Sequence, residues 1–246
     1  MAVLVYIESE ENKFKKTAYE ALSYGKALAD KMGSKVSGLV INCSDTDGLK
    51  KYGADKIITI DTPDFQKFSS KKYSHAIAEV IKSENSSVVI LSSSANSKFI
   101  GAHLSGITDA AYVSNVVGIP ESISPFVIKR TCFTNKAFSS TEMIDGLKII
   151  SVSSNSFGMI ENFNDSAVES FNPEKVDSNQ KIINIEKETG NITIADADIV
   201  VSAGRGLKGP ENWEMIESLA DTLGAATACS KPVSDMGWRP HSEHVG

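Results

Sequence analysis

The feature that most constrains the fold is an alternation, over the first hundred residues, of short apolar runs with helical patterns. Runs such as Val3–Glu8 and Val88–Leu91 are almost wholly apolar, which is typical of strands in a parallel sheet covered on both faces. Between them, apolar residues recur at three- and four-residue steps, which predicts amphipathic helices. This order predicts an α/β fold that begins with a three-layer α/β domain containing a parallel sheet. The predicted strands are Val3–Glu8, Val36–Ile41, Lys56–Ile60 and Val88–Leu91. The predicted helices are 14–32, which Gly33 ends, 75–82, and one that follows Ser94.

The pattern changes between about residues 110 and 155. Three apolar runs follow one another without a helical pattern between them, and prolines and an Asp-Gly pair separate them. We predict strands over 111–119, 126–133 and 147–153, which form an antiparallel or mixed extension of the first domain. Residues 161–180 are polar and weakly patterned, so a long excursion or linker is expected there.

A second α/β unit is predicted at the end of the chain. The run 197–203 reads as a strand, Pro210 suits the first position of a helix, and Gly224 suits its C-cap. We predict an N-terminal domain over 1–187, a linker over 188–195, and over 196–246 the start of a second α/β domain. That last unit has one strand–helix repeat and would bury too little surface alone, so we expect it to be incomplete. The apolar face of its helix is predicted to contain Trp213, Ile216, Leu219, Ala220 and Leu223.

Composition excludes several function classes. The chain has 25 Lys and Arg against 31 Asp and Glu, a net charge of −6, which argues against a nucleic-acid binder or a protein held electrostatically on membranes. No apolar run approaches the roughly 20 residues of a membrane span, so no membrane insertion is expected. The start lacks a basic segment typical of signal peptides. Three scattered cysteines, Cys43, Cys132 and Cys229, form no CxxC pair, so a reducing cytoplasm fits best.

The strongest local signal is the glycine-rich segment Gly204–Glu211, between the predicted strand and helix of the second unit. Its glycines allow close approach to the backbone, and Arg205 and Lys208 add positive charge, which together favour a phosphate or pyrophosphate. The segment matches neither GxGxxG nor the P-loop pattern. A glycine-rich loop with solvated basic residues explains it equally well, and the residues alone leave both interpretations open.

Other polar residues have simpler explanations. The serines of Ser92–Ser94 follow a buried strand and could receive an anion, but capping of the next helix is the commoner use. His241 and His244 have the spacing of metal ligands, yet no third ligand is evident and no metal is expected. Cys229 has no assignable His or Asp partner, so no catalytic nucleophile is predicted.

The C-terminal residues resemble those of a known family. The segment Ile199–Asn212, the residues around Leu219–Ala226, the stretch Ser230–Trp238 and the final Val245-Gly246 resemble the start of the FAD domain in the electron transfer flavoprotein alpha-subunit family. Val3–Glu8 and 126–131 are similar to that family's first domain. The resemblance spans the whole chain and is most specific over 197–246.

The resemblance implies a set of cofactor-binding residues and no catalytic residue. Arg205 and Ser230 stand at the family's FAD-contacting positions, and Val245 with Gly246 begins a cofactor segment that the family continues with Gln-Thr-Gly-Lys. Lys231 stands where many members have an arginine against the flavin ring. A lysine keeps the charge and loses the planar fork, so it would tune the flavin potential rather than perform acid–base chemistry. Without the resemblance, Ser230 would be interpreted as a cap and Lys231 as a surface lysine.

The resemblance also implies a function. The chain would be a cytoplasmic, bacterial electron carrier that binds FAD and pairs with a beta subunit, which holds AMP. It would pass electrons from flavoprotein dehydrogenases, such as acyl-CoA dehydrogenases of fatty acid beta-oxidation, to a quinone oxidoreductase. One alternative is an adenine-nucleotide-binding enzyme or stress-type module centred on residues 1–160. Another is a flavin-free fragment that only binds partners.

Overall fold

The computed structural model describes residues 2–180, 182–185, 194 and 197–245. The chain divides into two compact units, residues 1–182 and 183–246. The predicted boundaries at 187 and 196 fall on residues outside the described ones, so they stay predictions. The two units are described separately.

In the residues that the structure describes, the first unit is built on one large mixed sheet with three α-helices. Its strands follow the order β10-β9-β7-β11-β6-β1-β4-β5-β12, and β8 pairs only with β9. The elements are β1 (Ala2–Ile7), β2 (Ser9–Glu10), β3 (Lys13–Phe14), α1 (Lys16–Met32), β4 (Lys35–Ile41), β5 (Lys56–Ile60), α2 (Ser70–Glu84), β6 (Ser86–Leu91), α3 (Ala95–Thr108), β7 (Ala111–Val116), β8 (Ser122–Ile123), β9 (Phe126–Cys132), β10 (Ala137–Met143), β11 (Lys148–Val152) and β12 (Ala167–Ser170).

The predicted three-layer arrangement is confirmed by how the strands divide their side chains. In β1, Val3, Val5 and Ile7 belong to a core shared with α1, whereas Leu4 and Tyr6 belong to a second core shared with α2 and α3. Both faces of the strand are therefore apolar, which explains why its sequence has no polar side. The pairs β1–β4, β1–β6 and β4–β5 are parallel, as predicted.

The first helix begins later than predicted. Phe14 fits the helical spacing, but it lies in β3, which pairs with β2 in a short antiparallel hairpin. Glu11 and Asn12 make the turn with φ values of 50° and 61°, so the chain reverses before the helix starts. The helix ends as predicted at Gly33, which has φ 62° and caps it in the left-handed conformation.

The region after residue 110 differs more from the prediction. Strand β11 is parallel and lies between β7 and β6, so it belongs to the main sheet rather than to an extension. The antiparallel part consists of the pairs that β9 forms with β10, β7 and β8, and β10 was not predicted. The segment 161–180, which was expected to be a long excursion or linker, contains β12, which pairs in parallel with β5 at the sheet edge.

The contact between α2 and α3 is expected to make the stability of this unit depend on pH. The rings of His75 and His103 lie 6.0 Å apart. Burial lowers the pKa of His103, and the nearby His75 and Lys71 lower it further. Because the unfolded chain has a His pKa of about 6.5, it binds the proton more readily than the folded chain does. We expect the stabilisation to be complete above that pH and to be lost as the pH falls through the folded pKa.

Urea unfolding followed by far-UV ellipticity at pH 7.5 and pH 5.5 checks this pH dependence. The His103→Gln variant should show a smaller loss of stability between the two pH values than the unchanged chain. Equal losses for the two proteins would contradict the assignment to His103.

Among its described residues, the second unit contains a two-stranded parallel sheet and two α-helices. Its elements are β13 (Val200–Ala203), α4 (Glu214–Leu223), β14 (Ala226–Cys229) and α5 (Lys231–Asp235). Trp213, Cys229 and Val233 form its buried core. Trp213 and Ala220 are buried as predicted, whereas Leu219 and Leu223 are 48% and 46% exposed. Two strands cover only a narrow strip of α4, so the predicted apolar face of this helix is not buried over its full width.

Membrane insertion was not expected from the sequence. Within 2–180, 182–185, 194 and 197–245, no helix combines the length and apolar character that crossing a bilayer requires.

Candidate functional site

The candidate site lies at the carboxyl edge of the sheet in the second unit. Strands β13 and β14 are parallel, with Val200 opposite Ala226 and Ala203 opposite Cys229. Both strands therefore end at the same edge, where ligands of open α/β sheets commonly bind. At this edge, the glycine-rich segment follows β13 directly, and Ser230 follows β14 directly.

The glycine-rich segment is a pair of tight turns rather than a direct entry into an α-helix. Arg205–Leu207 forms one 3-10 turn, and Lys208 follows with φ 68°. Pro210 begins a second 3-10 turn, Pro210–Asn212, and α4 starts only at Glu214. Pro210 therefore occupies the first helical position, as predicted, but this position belongs to the 3-10 turn that precedes α4. Hydrogen bonds of i→i+3 type, such as Trp213 N–H to the Pro210 carbonyl (3.1 Å), form here before the α-helix begins.

Ser230 lies beside the start of the glycine-rich segment. Its N–H donates to the Ala203 carbonyl at 3.0 Å. Ser230 occupies the N-cap position of α5, but its side chain makes no capping hydrogen bond. A Cβ atom at Gly204 would lie in van der Waals contact with the Ser230 Oγ, at 3.6 Å, so the glycine leaves this hydroxyl uncovered on the side of position 204. The hydroxyl thus remains able to bond to a ligand.

The end of the described chain returns to this edge. His244 pairs in parallel with Cys229, and the Val245 N–H donates to the Cys229 carbonyl at 3.0 Å. The structure therefore brings Val245 next to the strand that ends at Ser230. Gly246, the other residue of the implied cofactor segment, lies outside the described residues.

Arg205 and Lys231 are among the cations of this region that have no ion-pair partner within the part of the chain that the structure describes. Arg205 and Lys231 are exposed, and neither is in an ion pair there, whereas Arg239 nearby in sequence has two carboxylate partners. An anionic cofactor needs unpaired positive groups and free hydrogen-bonding groups at one edge. The uncovered Ser230 hydroxyl and these two cations fit that requirement. Whether the predicted residues contact FAD stays a prediction.

A hollow of about 360 Å³ next to the loop is a less suitable phosphate site. Its lining includes Gly206, Leu207 and two carboxylates, Glu211 and Glu214. Two acidic side chains would repel a phosphate. A phosphate is therefore more readily placed at the carboxyl edge beside Ser230 than in this hollow.

The comparisons with known proteins identify the family to which the chain belongs. A family model described as the electron transfer flavoprotein domain matches residues 3–178. A second, described as the electron transfer flavoprotein FAD-binding domain, matches residues 193–246. The chain belongs to the electron transfer flavoprotein family. The second match covers Arg205, Ser230 and Val245, and it supports an association with flavin.

Individual relatives confirm the resemblance to alpha subunits. The electron transfer flavoprotein subunit alpha of Bacillus subtilis is 24% identical over 250 residues, which are 99% of this chain and 76% of that protein. The subunit alpha of Pseudomonas aeruginosa is 25% identical over 248 residues, 100% of this chain and 79% of the relative. The acryloyl-CoA reductase electron transfer subunit beta of Anaerotignum propionicum is 25% identical over 282 residues, which cover 99% of this chain and 77% of that protein.

The serine-rich turn of the first flavoprotein domain is occupied by an internal carboxylate. Ser94 caps α3 by accepting the Ser97 N–H at 3.0 Å, so the capping interpretation is confirmed. Glu8, 4% exposed, accepts a hydrogen bond from the Ser92 hydroxyl at 3.1 Å and a longer one from Asn96 at 3.4 Å. The carboxylate of Glu8 therefore lies at the start of α3, where a nucleotide phosphate would have to bind.

Cys229 is not an activated thiol. It is fully buried, and burial raises the pKa of its thiol, with Glu243 raising it further. The reactive form of a cysteine is the thiolate, so Cys229 is a core residue of the flavoprotein's second unit.

Sequence reasoning missed one charged cluster of the second unit. Arg239 hydrogen-bonds to Glu217 and Glu243, and its guanidinium lies 5.4 Å from the ring centroid of Trp213. The four-residue spacing of Arg239 and Glu243 was a possible signal. It was not informative because Pro240 between them excludes an ordinary helix.

Proposed function

We propose that this chain is the FAD-binding subunit of an electron-carrying heterodimer. The observation that carries the proposal is the match of the FAD-binding domain model to residues 193–246, the segment whose strands end together at Ser230 and Gly204. The uncovered hydroxyl and two unpaired cations at that edge support the same conclusion. The residues proposed to hold the cofactor are Arg205, Ser230, Lys231, Val245 and Gly246.

The proposed partners follow from family membership. The heterodimer would pair this chain with an electron transfer flavoprotein beta subunit, in which AMP is expected. Flavoprotein dehydrogenases, including acyl-CoA dehydrogenases of fatty acid beta-oxidation, would donate electrons, and a quinone oxidoreductase would accept them. One relative is named for acryloyl-CoA reductase instead, so a reductase is a competing electron partner. The proposed location is the bacterial cytoplasm.

The proposed role is electron carriage without turnover of a substrate by this chain. A bound flavin supplies the redox chemistry, whereas the protein supplies binding, orientation and electrostatics. Arg205 and Ser230 would bind the anionic and polar parts of the cofactor. Lys231 would place a positive charge near the flavin.

Co-expression with an electron transfer flavoprotein beta subunit from the same organism tests the proposal. The purified complex should be yellow, contain FAD, and be reduced by a flavoprotein dehydrogenase in the presence of its substrate. A complex that stays colourless when supplied with FAD would contradict the proposal and favour a flavin-free fragment that only binds partners. Turnover of ATP by the chain alone would favour the adenine-nucleotide alternative, against which the position of Glu8 argues.

The charge of Lys231 is expected to set the flavin potential. Removing it by Lys231→Gln should lower the midpoint potential by on the order of 20 mV, because a positive charge stabilises reduced, anionic flavin. A spectroelectrochemical titration of the two complexes measures the difference. Lys98→Gln, which removes an exposed charge on α3 of the other unit, should leave the potential unchanged. Identical midpoints for Lys231→Gln and the unchanged complex would remove Lys231 from the site.

A further inference from the structure

We propose that Arg239 is a positioning residue for the FAD site, because it holds the segment 241–245 against strand β14. This inference rests on the proposed function for its relevance to FAD. Its structural part concerns only contacts within the second unit. None of the hydrogen bonds of Arg239 in the described residues reaches Gly204 or Ser230, so Arg239 would act through the segment that ends at Val245.

The guanidinium of Arg239 joins two separate elements. Its Nε donates to Glu243 Oε2 at 2.7 Å and its Nη2 to Glu243 Oε1 at 2.6 Å. Its Nη1 donates to Glu217 Oε1 of α4 at 2.9 Å. The two bonds to Glu243 form a bidentate fork, the strongest and most directional arrangement of this kind. The fork therefore fixes Glu243, and the turn that carries it, relative to α4.

A third contact keeps the guanidinium itself in place. Its carbon lies 5.4 Å from the ring centroid of Trp213, a distance typical of a cation–π contact. Trp213 is only 3% exposed and belongs to the core of the unit. Hydrogen bonding to Glu243 also raises the pKa of Arg239, so the charge is present at all relevant pH values. Arg239 is thus anchored to the core and holds the terminal segment from there.

The segment 241–245 has few other links to the sheet. The Val245 N–H bonds to the Cys229 carbonyl at 3.0 Å, and Thr227 donates a weak bond to Glu243 at 3.5 Å. The remaining backbone bonds of the segment are internal, such as His244 N–H to the His241 carbonyl. Without Arg239, the position of Val245 beside the strand that leads to Ser230 would depend, among the described residues, on the short backbone bridge of His244 and Val245 to Cys229 and on one long side-chain contact.

The experiment uses this chain, with all of its residues, in complex with the beta subunit. Arg239→Met retains an apolar stem over Trp213 and removes the fork, and Glu243→Gln removes the charge of its partner. The double variant Arg239→Met/Glu243→Gln completes a double-mutant cycle. Lys98→Met, on α3 of the other unit, is the control for a lost positive charge. Asp221→Asn, an exposed side chain on α4, is the control for a lost negative charge.

Two measurements are made on each variant: hydrogen exchange of the Val245 amide without FAD, and the Kd for FAD. We expect Arg239→Met to speed the exchange of Val245 and to raise the Kd, each about tenfold or more, the scale of one charge-assisted hydrogen bond. In the double variant, the exchange rate of the Val245 amide and the Kd for FAD should be no higher than in Arg239→Met. The two control variants should have the same exchange rate and the same Kd for FAD as the unchanged chain.

The outcomes separate this inference from the proposed function. Unchanged exchange of Val245 in Arg239→Met would overturn the inference, as would faster exchange without any change in the Kd for FAD. A colourless unchanged complex would instead overturn the proposed function, while the exchange data would still decide whether Arg239 holds the segment. If Arg239→Met does not fold, as judged by tryptophan emission, Glu243→Gln provides the same two measurements with the same expected directions.

Discussion

Replacing Arg205 with alanine is expected to weaken FAD binding by about 1.5–3 kcal/mol in the complex with the beta subunit. Arg205 is exposed in the turn that follows β13 and has no ion-pair partner among the residues described, so its guanidinium is available to an anionic cofactor. A hydrogen bond to a charged group contributes about that much free energy. The Kd measured by flavin fluorescence titration should therefore rise about 10- to 150-fold.

Two further variants distinguish a direct contact from a general effect of charge. Arg205→Lys keeps the charge but loses the planar fork, so it should give a Kd between those of the unchanged protein and Arg205→Ala. Lys98→Ala removes an exposed charge from the other unit and should leave the Kd unchanged. If Arg205→Ala binds FAD as tightly as the unchanged complex, Arg205 does not contact the cofactor.

The parallel core of the first unit could be predicted because its strands are buried on both faces. Val5 belongs to the core on the side of α1, and Leu4 to the core on the side of α2 and α3. Each such strand is therefore a continuous apolar run, which is a strong signal in a sequence. The start of α1 could not be predicted from the spacing of apolar residues. Phe14 has the spacing expected of a helix, although it lies in a hairpin that precedes α1.

The edge strand β12 could not be predicted because its side chains carry no burial signal. All four residues of β12 are exposed, so no periodicity marks the segment as a strand. It is held by backbone pairing with β5 and by an ion pair of 3.2 Å between Lys56 and Glu169. These are non-local interactions, and a pattern of local hydrophobicity contains no information about them.

The candidate site was accessible from the sequence only in part. The glycines and cations of 204–208 could be interpreted physically as an anion-binding loop. Ser230 and Val245 were selected only by resemblance to a family, because their proximity depends on how β14 pairs with β13 and with His244. Arg239 was missed, since Glu217 lies 22 residues away in sequence and no local pattern connects them.

Replacing Glu20 with alanine is expected to lower the free energy of unfolding of the first unit by about 2–4 kcal/mol. Glu20 lies on α1 and is only 4% exposed. Its carboxylate accepts three backbone N–H groups of the loop after β11, from Asn155 and Phe157 at 2.8 Å and from Gly158 at 2.9 Å. Each bond to a charged acceptor contributes about 1.5–3 kcal/mol. The expected loss is smaller than the sum of the three hydrogen bonds, because water can bind to the N–H groups of the exposed loop once Glu20 is removed.

The measurement is urea unfolding followed by far-UV ellipticity, with Glu79→Ala as the matched control. Glu79 lies on α2 and also accepts a backbone N–H, that of Glu174 at 3.1 Å, but this contact is exposed to solvent. Its loss should cost less than about 1 kcal/mol, because water replaces an exposed hydrogen bond at little cost. Both tryptophans of the chain, Trp213 and Trp238, lie in the second unit, so their emission reports that unit separately. If Glu20→Ala is no less stable than Glu79→Ala, the carboxylate of Glu20 does not anchor the loop, and packing such as that of Phe157 on Tyr24, 5.4 Å apart, holds it instead.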